Sequence, residues 1–161
     1  MGQLSLFDTC CLEKSHWELF IDGASKSNPG PAGAGIYLVK ESRPIIKEGF
    51  YLGHKTNNQA EYLALILGLY LAKNYVSKMD FLVIKSDSEL LVRQISGLYK
   101  IKDPRLFELH QCSKNLLRDY SYELCHIMRK DNSVADSLAN KGIKEKINVP
   151  CDFMEVCSLI G

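Results

Sequence analysis

The chain has 161 residues, of which 46% are hydrophobic and 24% charged, and its formal net charge at pH 7 is +1. This length is typical of one domain with a single substantial core. The near-neutral charge excludes a global field that would attract nucleic acid or a membrane surface. Any polyanion must therefore be bound by locally placed basic side chains and backbone amides.

The cysteine pattern indicates reduced thiols rather than a disulfide framework or a zinc site. The spacing contains no Cys-x-x-Cys pair and no Cys/His cluster. No charged segment precedes a long apolar signal sequence, and no apolar run approaches the length of a membrane span. We therefore expect a cytoplasmic protein without a membrane partner. We also expect it to be a monomer. The six cysteines are Cys10, Cys11, Cys112, Cys125, Cys151 and Cys157.

The first part of the chain predicts an N-terminal arm over residues 1–15 and then three strands. Residues 16–21 (HWELFI) predict the first strand, and a turn-rich stretch with the sequence ASKSNPGPAGAG follows it. The segments GIYLVKE and PIIKEGFYLG predict two further strands, joined by a short connection. Together the three strands are typical of an antiparallel meander.

Residues 56–76 (TNNQAEYLALILGLYLAKNYV) predict a helix that is apolar over most of its circumference. Such a helix is usually covered on both sides, so we expect it to be central to the fold. Thr56 is followed three residues later by Gln59, a spacing that allows the two side chains to satisfy the first free amides reciprocally.

The second part of the chain predicts two strands and three helices. The segment FLVIKSD predicts a strand buried on both faces, and a helix begins after it near Ser88. An amphipathic helix from about Pro104 to Arg118 precedes the last strand, SYELCHIM. The segment DNSVADSLANKGI predicts the closing helix, with Asp131 or Asn132 as its cap.

The element order βββαβααβα predicts an α/β sandwich with a mixed sheet. We assign this domain to residues 16–145. Residues 146–161 have no clear period, and we leave that tail unassigned.

Four carboxylates stand where a structural role is hard to supply: Asp22, Glu61, Asp87 and Asp136. Taken singly, Glu61 and Asp136 also fit as charges at helix starts, and Asp22 and Asp87 as turn formers. Taken together, acids at strand ends and helix starts can converge at one edge of an α/β sheet. Carboxylates that share a site repel one another unless a cation neutralises them, and an all-oxygen set favours Mg²⁺ or Mn²⁺ over zinc. The pattern favours two-metal cleavage of a phosphodiester.

The segments that carry these acids resemble the four signature blocks of type 1 ribonuclease H. The blocks are FIDGASKSNPGPAGAGIYL, TNNQAEYLALILGL, SDSELLVRQI and DNSVADSLAN, and the resemblance runs over residues 17–142. It implies a ribonuclease H-like α/β fold with a mixed five-stranded sheet, three antiparallel strands then two parallel additions, and helices on both faces. It also implies cleavage of the RNA strand of RNA–DNA hybrids with two Mg²⁺ ions, leaving 5′-phosphate and 3′-hydroxyl ends. By matching blocks, Asp22, Glu61, Asp87 and Asp136 take the positions of the metal-binding, catalytic acids.

The same resemblance implies a set of substrate contacts. Asn28, Asn57 and Asn58 fall where the family contacts sugar 2′-hydroxyls and minor-groove base edges, work that suits a neutral amide. Thr56 and Asn132 also fall at positions for substrate contact, although the helix cap is the safer role for Thr56. The glycines and prolines around Asn28 have a purely structural interpretation as a tight turn.

The chain departs from many family members before the last acid. Those members carry a His in a mobile glycine-rich loop, whereas His126 here lies in the predicted last strand. The better match is a short-loop subgroup with the pattern H-[hydrophobic]-x-R-x-x-N, which places Arg129 near the scissile phosphate. Arg129 stays protonated, so it cannot be a general base.

The chain also lacks the basic handle that some family members insert between two helices. The connection here offers only Lys100, Lys102 and Arg105. Fewer phosphate contacts imply weaker hybrid binding, so we expect another way of staying near the substrate.

The N-terminal arm supplies a candidate for that role. Its sequence QLSLF resembles the peptide by which many bacterial replication and repair proteins dock on the sliding clamp. In that interpretation Leu4, Leu6 and Phe7 fill an apolar pocket, Gln3 supplies orienting hydrogen bonds and Ser5 completes the motif. The alternative is an arm that folds back on its own domain.

The resulting hypothesis is an endonuclease for RNA–DNA hybrids in RNA primer or R-loop removal. A non-catalytic hybrid-binding module is an alternative, but unneutralised acids would repel a phosphate backbone. Another nuclease of the same fold is a second alternative, against which the three asparagines favour recognition of RNA.

Overall fold

The computed structural model describes residues 15–156. Its first three strands are β1 (His16–Ser25), β2 (Gly30–Lys40) and β3 (Arg43–Lys55). β1 pairs antiparallel with β2, and β2 with β3, which confirms the predicted meander.

The glycine- and proline-rich stretch after Asp22 is mostly strand, where the sequence predicted a turn. β1 continues to Ser25 and β2 begins at Gly30, so the connection covers only residues 26–29. The glycine content of β2 is explained by the helix that packs against this part of the sheet. A Cβ at Gly35 would lie 1.9 Å from the carbonyl oxygen of Ala135, so this glycine in β2 is needed for close packing of the last helix.

β4 (Phe81–Ser86) and β5 (Ser121–His126) extend the sheet in parallel, giving the strand order β3-β2-β1-β4-β5. This arrangement confirms the mixed five-stranded sheet. The expectation that β4 is buried on both faces was wrong, because buried and partly exposed residues alternate along it. Its second face carries Lys85, which forms an ion pair with Glu18 on β1 at 2.6 Å.

α1 (Asn57–Ala72) is the central helix, and eleven of its sixteen residues are buried. The predicted capping box is present: Gln59 N donates to Thr56 Oγ1 at 3.2 Å, and Thr56 N donates to Gln59 Oε1 at 2.8 Å. One side of α1 packs on β1 and β2. The other side is covered by α3 (Pro104–Leu117), which follows α2 (Glu89–Ile95), and this confirms that α1 is enclosed.

α4 (Ser133–Glu145) covers the opposite face of the sheet and packs mainly on β2 and β3. A short 3-10 helix, Arg129–Asn132, leads into it. Asn132 occupies the predicted N-cap position, but its side chain forms no cap hydrogen bond. It is buried instead, and its Nδ2 donates to the carbonyl oxygen of Ile21 at 2.9 Å.

The tail after α4, which the sequence left unassigned, packs on the domain as far as it is described. Tyr51 N on β3 donates to the carbonyl oxygen of Ile147 at 2.7 Å. Phe153, at the start of the short helix α5 (Phe153–Val156), is fully buried, and its ring centroid lies 5.2 Å from that of Tyr70 on α1. The tail therefore contributes a large side chain to the core.

Among residues 15–156, none of the helices combines the length and the apolar character that a membrane crossing requires. Among the described residues, Cys125 and Cys151 carry free thiols. The predicted clamp-binding peptide, residues 3–7, lies outside the described residues.

Candidate active site

Three of the predicted acids converge where β1 and β4 run side by side next to the start of α1. Ile21 pairs with Ser86, so Asp22 and Asp87 follow each other across the parallel β1–β4 pair. Asp22 pairs with Gly35 on its other side, which places it on the face of the sheet that α4 covers. Glu61 reaches the same edge from α1, because a Gly23 without a side chain allows that helix to approach β1 closely.

One carboxylate oxygen from each of Asp22, Glu61 and Asp87 lies within 4.8 Å of the other two. Asp22 is the most enclosed, with 4% of its surface exposed. Asp136, in the first turn of α4, lies against Asp22 on the outer side, with 34% of its side chain exposed. The structure thus brings together all four acids that the sequence singled out.

Burial and mutual repulsion shift the acids toward their protonated forms. Desolvation, followed by the negative charges of Asp87 and Asp136, raises the pKa of Asp22 from 3.8 to about 8. Burial and the charge of Asp22 also raise the pKa of Glu61 well above its usual value, against the hydrogen bond from Gly23 N. A cation beside Asp22 and Glu61 would stabilise the ionised forms of both carboxyl groups.

The donor set at this edge fits a hard divalent cation. Asp22, Glu61 and Asp87 offer only carboxylate oxygens, and no His or Cys belongs to the cluster within the described part of the chain. Oxygen ligands of this kind suit Mg²⁺ and Mn²⁺ and are a poor match for zinc. A bound cation would also relieve the electrostatic repulsion among the carboxylates.

The acids line an open cleft with a volume of about 400 Å³. Asn57 and Arg129, both predicted, also line it. So do Lys26 and Asn140, which sequence reasoning missed. Both lie inside signature blocks, but a lone Lys in a turn and a lone Asn on a helix are ordinarily solvated surface residues, so their types alone gave no signal.

Two of the predicted asparagines form one network at the rim of the cleft. Asn57 N donates to Asn28 Oδ1 at 3.0 Å, and Ser25 N donates to Asn57 Oδ1 at 3.0 Å. Because both amide oxygens are engaged, the NH₂ groups are the ends of Asn28 and Asn57 that could donate to a ligand. This network ties the β1–β2 turn to the first turn of α1.

The remaining predicted contact residues have different surroundings. Asn58 is exposed and lines a second depression of about 490 Å³ together with Lys100 and Lys102. Thr56 is 6% exposed and is occupied as a helix cap. Asn132 is only 1% exposed, so its position supports the backbone of β1 rather than a surface contact.

Arg129 and His126 were the two candidates for assistance at the phosphate, and the structure separates them. Arg129 lies at the mouth of the cleft with 84% of its side chain exposed, and its Nη2 is 3.8 Å from Asp136 Oδ1. His126 ends β5, as expected for a strand residue, and is not among the residues that line the cleft.

Comparison with known proteins shows which family the chain resembles. Residues 20–142 match the family model described as reverse transcriptase-like. Ribonuclease HI of Halobacterium salinarum is 37% identical over 128 residues, which cover 78% of this chain and 63% of that protein. This chain therefore spans less than two thirds of the length of that relative.

Two solved structures agree with this match. The crystal structure of RNase H1 from Halobacterium salinarum superposes with a TM-score of 0.75 at 34% identity, covering 82% of this chain and 98% of that one. LC11-RNase H1, solved in complex with an RNA/DNA hybrid, gives a TM-score of 0.76 at 34% identity, covering 80% and 97%. The chain belongs to the type 1 ribonuclease H family.

Proposed function

We propose that this protein is an endonuclease that hydrolyses the RNA strand of RNA–DNA hybrids, leaving 5′-phosphate and 3′-hydroxyl ends. The observation that carries the proposal is the convergence of Asp22, Glu61 and Asp87 within 4.8 Å of one another. The similar LC11-RNase H1, solved with an RNA/DNA hybrid, supports the choice of substrate.

The acids would hold two Mg²⁺ ions, or Mn²⁺ in their place. When bound, the ions would supply a lowered pKa for an attacking water and charge stabilisation for the leaving 3′ oxygen. Asp22, buried and flanked by Asp87 and Asp136, is the central ligand. Glu61 is oriented by the N–H of Gly23, which donates to its Oε2 at 3.1 Å.

The asparagine network would select RNA over DNA. The free NH₂ groups of Asn28 and Asn57 can donate to a 2′-hydroxyl, the group that distinguishes the two sugars. Both residues are held by backbone hydrogen bonds, so they are ordered before the substrate arrives. Asn58, the next residue in the first turn of α1, would contact the neighbouring nucleotide beside Lys100. Thr56 would contribute through the cap that fixes these residues.

Arg129 would contact the scissile phosphate from the mouth of the cleft. Its guanidinium carries a permanent charge and is largely exposed, so it can reach a phosphate oxygen but cannot take a proton. Asn132 is left out of the substrate surface, because it is buried beneath β1.

The peptide of residues 3–7 would tether the enzyme to the sliding clamp. The described chain begins at Ser15, whose carbonyl oxygen accepts from Phe81 N at the start of β4. Asp87 follows the other end of that strand, so the arm joins the domain at the edge away from the cleft. Such a tether would suit a cytoplasmic monomer that removes RNA primers or R-loops.

A cleavage assay on three labelled duplexes tests the function. Hybrid, RNA–RNA and DNA–DNA duplexes of one sequence are incubated with Mg²⁺ and, in parallel, with EDTA. We expect cleavage of the hybrid alone and none in EDTA. Binding without cleavage would point to a hybrid-binding module, and cleavage of the DNA duplex to a different nuclease. Loss of clamp binding after Leu6→Ala and Phe7→Ala tests the tether separately.

A further inference from the structure

The β1–β2 turn bridges the two helices that carry acids of the cleft. On one side, Asn28 and Ser25 are hydrogen-bonded to Asn57 in the first turn of α1. On the other side, Lys26 Nζ donates to Asn140 Oδ1 on α4 at 2.6 Å. The turn is therefore hydrogen-bonded both to α1, which carries Glu61, and to α4, which carries Asp136.

Lys26 is a cation of the cleft that is not neutralised by the acids around it. Together with Arg129 it supplies the positive charge among the described residues that line the cleft. No described carboxylate lies within 4 Å of its ammonium, whose partner is a neutral amide. An ammonium has three N–H donors, so at least two of them remain for a ligand.

Asn140 holds the ammonium in place and leaves its charge intact. Its Nδ2 donates to the carbonyl oxygen of Asp136 at 2.9 Å, one turn earlier on α4, so its Oδ1 is turned toward Lys26. The backbone of Lys26 is fixed as well, because its N–H donates to the carbonyl oxygen of Pro31 at 2.9 Å. The result is a positioned cation at the rim of a cleft that four carboxylates make negative.

We propose that Lys26, positioned by Asn140, binds a phosphate of the RNA strand on the α4 side of the cleft, across from the Asn28–Asn57 pair. This assignment rests on the proposed function, because it takes a nucleic-acid strand as the ligand. Asn28 and Asn57 would contact the sugar on one side of the cleaved bond, and Lys26 the backbone charge on the other. Lys26 is then a substrate-binding residue and Asn140 a positioning residue.

The direct test compares Lys26→Met, which removes the charge and keeps the stem, with Lys26→Arg, which keeps the charge. Steady-state cleavage gives KM and kcat. In an Asp22→Asn background that cannot cleave, hybrid affinity is measured between about 50 and 200 mM salt, where one lost phosphate contact lowers the salt slope by about 0.7–0.9. We expect Lys26→Met to raise KM about tenfold with kcat little changed, as for a lost charge-assisted hydrogen bond, and Lys26→Arg to retain the wild-type slope.

Lys78→Met is the matched control, an exposed lysine before the start of β4. It lies about 20 Å from the cleft, the length of that strand at roughly 3.3 Å per residue. We expect it to leave KM and the salt slope unchanged. A KM and a slope for Lys26→Met equal to those of this control would overturn the assignment.

Asn140→Asp separates phosphate binding from a purely structural clamp. The new carboxylate would pair with the ammonium of Lys26 and compete with the phosphate, so we expect KM to rise while the melting temperature is kept or increased. An unchanged KM would mean that the pair only fastens the turn to α4, and the assignment would be wrong. If the wild-type protein neither binds nor cleaves the hybrid, the proposed function fails first and the assignment with it.

Discussion

Gly23 N donates a hydrogen bond to Glu61 Oε2 at 3.1 Å. The residue next to Asp22 on β1 therefore holds the carboxylate that α1 contributes to the cluster. This contact depends on the absence of a side chain, because a Cβ at Gly23 would lie 2.2 Å from the carbonyl carbon of Ala60. A backbone N–H of β1 thus links the strand that carries Asp22 to the carboxylate of Glu61 on α1.

Gly23→Ala should damage activity and stability together. The new methyl group meets the backbone of α1, which cannot give way as a side chain can, so we expect a loss of about 1–3 kcal/mol in the free energy of unfolding. Displacement of Glu61 by about 1 Å should reduce kcat roughly a hundredfold. Denaturant unfolding and steady-state cleavage measure the two effects.

Gly68→Ala is the control for the effect at Gly23. It adds the same methyl group to α1, but the nearest atoms are the side chains of Ile21 and Leu19 at 3.1 and 3.2 Å, which can shift. We expect a change within about 1 kcal/mol, because the gain in helix propensity offsets the crowding, and normal kcat. Equal effects of the two substitutions would contradict the role given to Gly23.

The metal-free protein should lose stability as the pH rises from about 4 to about 8. The pKa of Asp22 is raised from 3.8 to about 8 in the folded state, so over this range the folded protein holds a proton that the unfolded chain has lost. The contribution is complete below the unfolded pKa and disappears as the pH passes the folded pKa. Thermal unfolding in EDTA at several pH values measures it.

Asp22→Asn should flatten this pH dependence and stabilise the metal-free protein at neutral pH. We expect the free energy of unfolding to rise by at least about 1 kcal/mol, which corresponds to roughly one unit of pKa. The reason is that the neutral amide carries no charge on which burial and repulsion can act. Mg²⁺ should stabilise the wild type and not the variant, and cleavage should be lost. Asp119→Asn, at an exposed site, is the control and should keep the wild-type pH profile.

Arg129→Ala should lower kcat about tenfold, the effect of one lost contact to a charged group. Arg129→Lys should recover part of the loss, since it restores the charge without the planar donor geometry. His126→Ala should remain within about twofold of wild type, because a residue outside the cleft lacks a charged contact of this size. Full turnover by Arg129→Ala would remove the arginine from the site, and a sharp loss in His126→Ala would show that the histidine assists instead.

Phe153→Ala should destabilise the protein without changing its chemistry. Phe153 is fully buried against Tyr70, and truncation of a buried Phe costs about 3–5 kcal/mol. It does not line the cleft, so kcat below the melting temperature should be unchanged. Phe107→Ala, the same substitution at a residue that is 51% exposed, should cost no more than about 0.5 kcal/mol. A similar small cost at Phe153 would mean that the tail is not part of the core.

The sequence predicted the acid cluster well, because carboxylates in apolar surroundings are conspicuous. Glu61 stands in a helix most of whose residues are buried, and Asp87 comes shortly after the apolar run of β4. The same reasoning missed the strand character of the stretch that contains Gly35. A glycine that admits a helix and a glycine that forms a turn are identical in sequence, and only the partner across the sheet distinguishes them.

Contacts between distant residues were the other part that the sequence could not supply. Lys26 and Asn140 meet across 114 positions, and neither residue type indicates that it has a partner. Asn132 was predicted as a substrate contact and as a cap, yet its side-chain amide donates to the carbonyl oxygen of Ile21 on β1. In each case the role is decided by what packs against the residue in the folded chain.

The glycines beneath α4 fix the distance between that helix and the sheet, and with it the position of one wall of the cleft. Carbonyl oxygens of Ala135 and Leu138 occupy the space that a Cβ at Gly35 and at Gly49 would fill, so main chain rests on main chain. A contact between backbone atoms has no side-chain rotamer to adjust, so it sets how closely α4 can approach the sheet. Substitutions among the surrounding apolar side chains can be accommodated by repacking elsewhere in the core. The position of Asp136 relative to Asp22 stays the same. The precision of the metal site would then be set by the geometry of the backbone rather than by the packing of side chains.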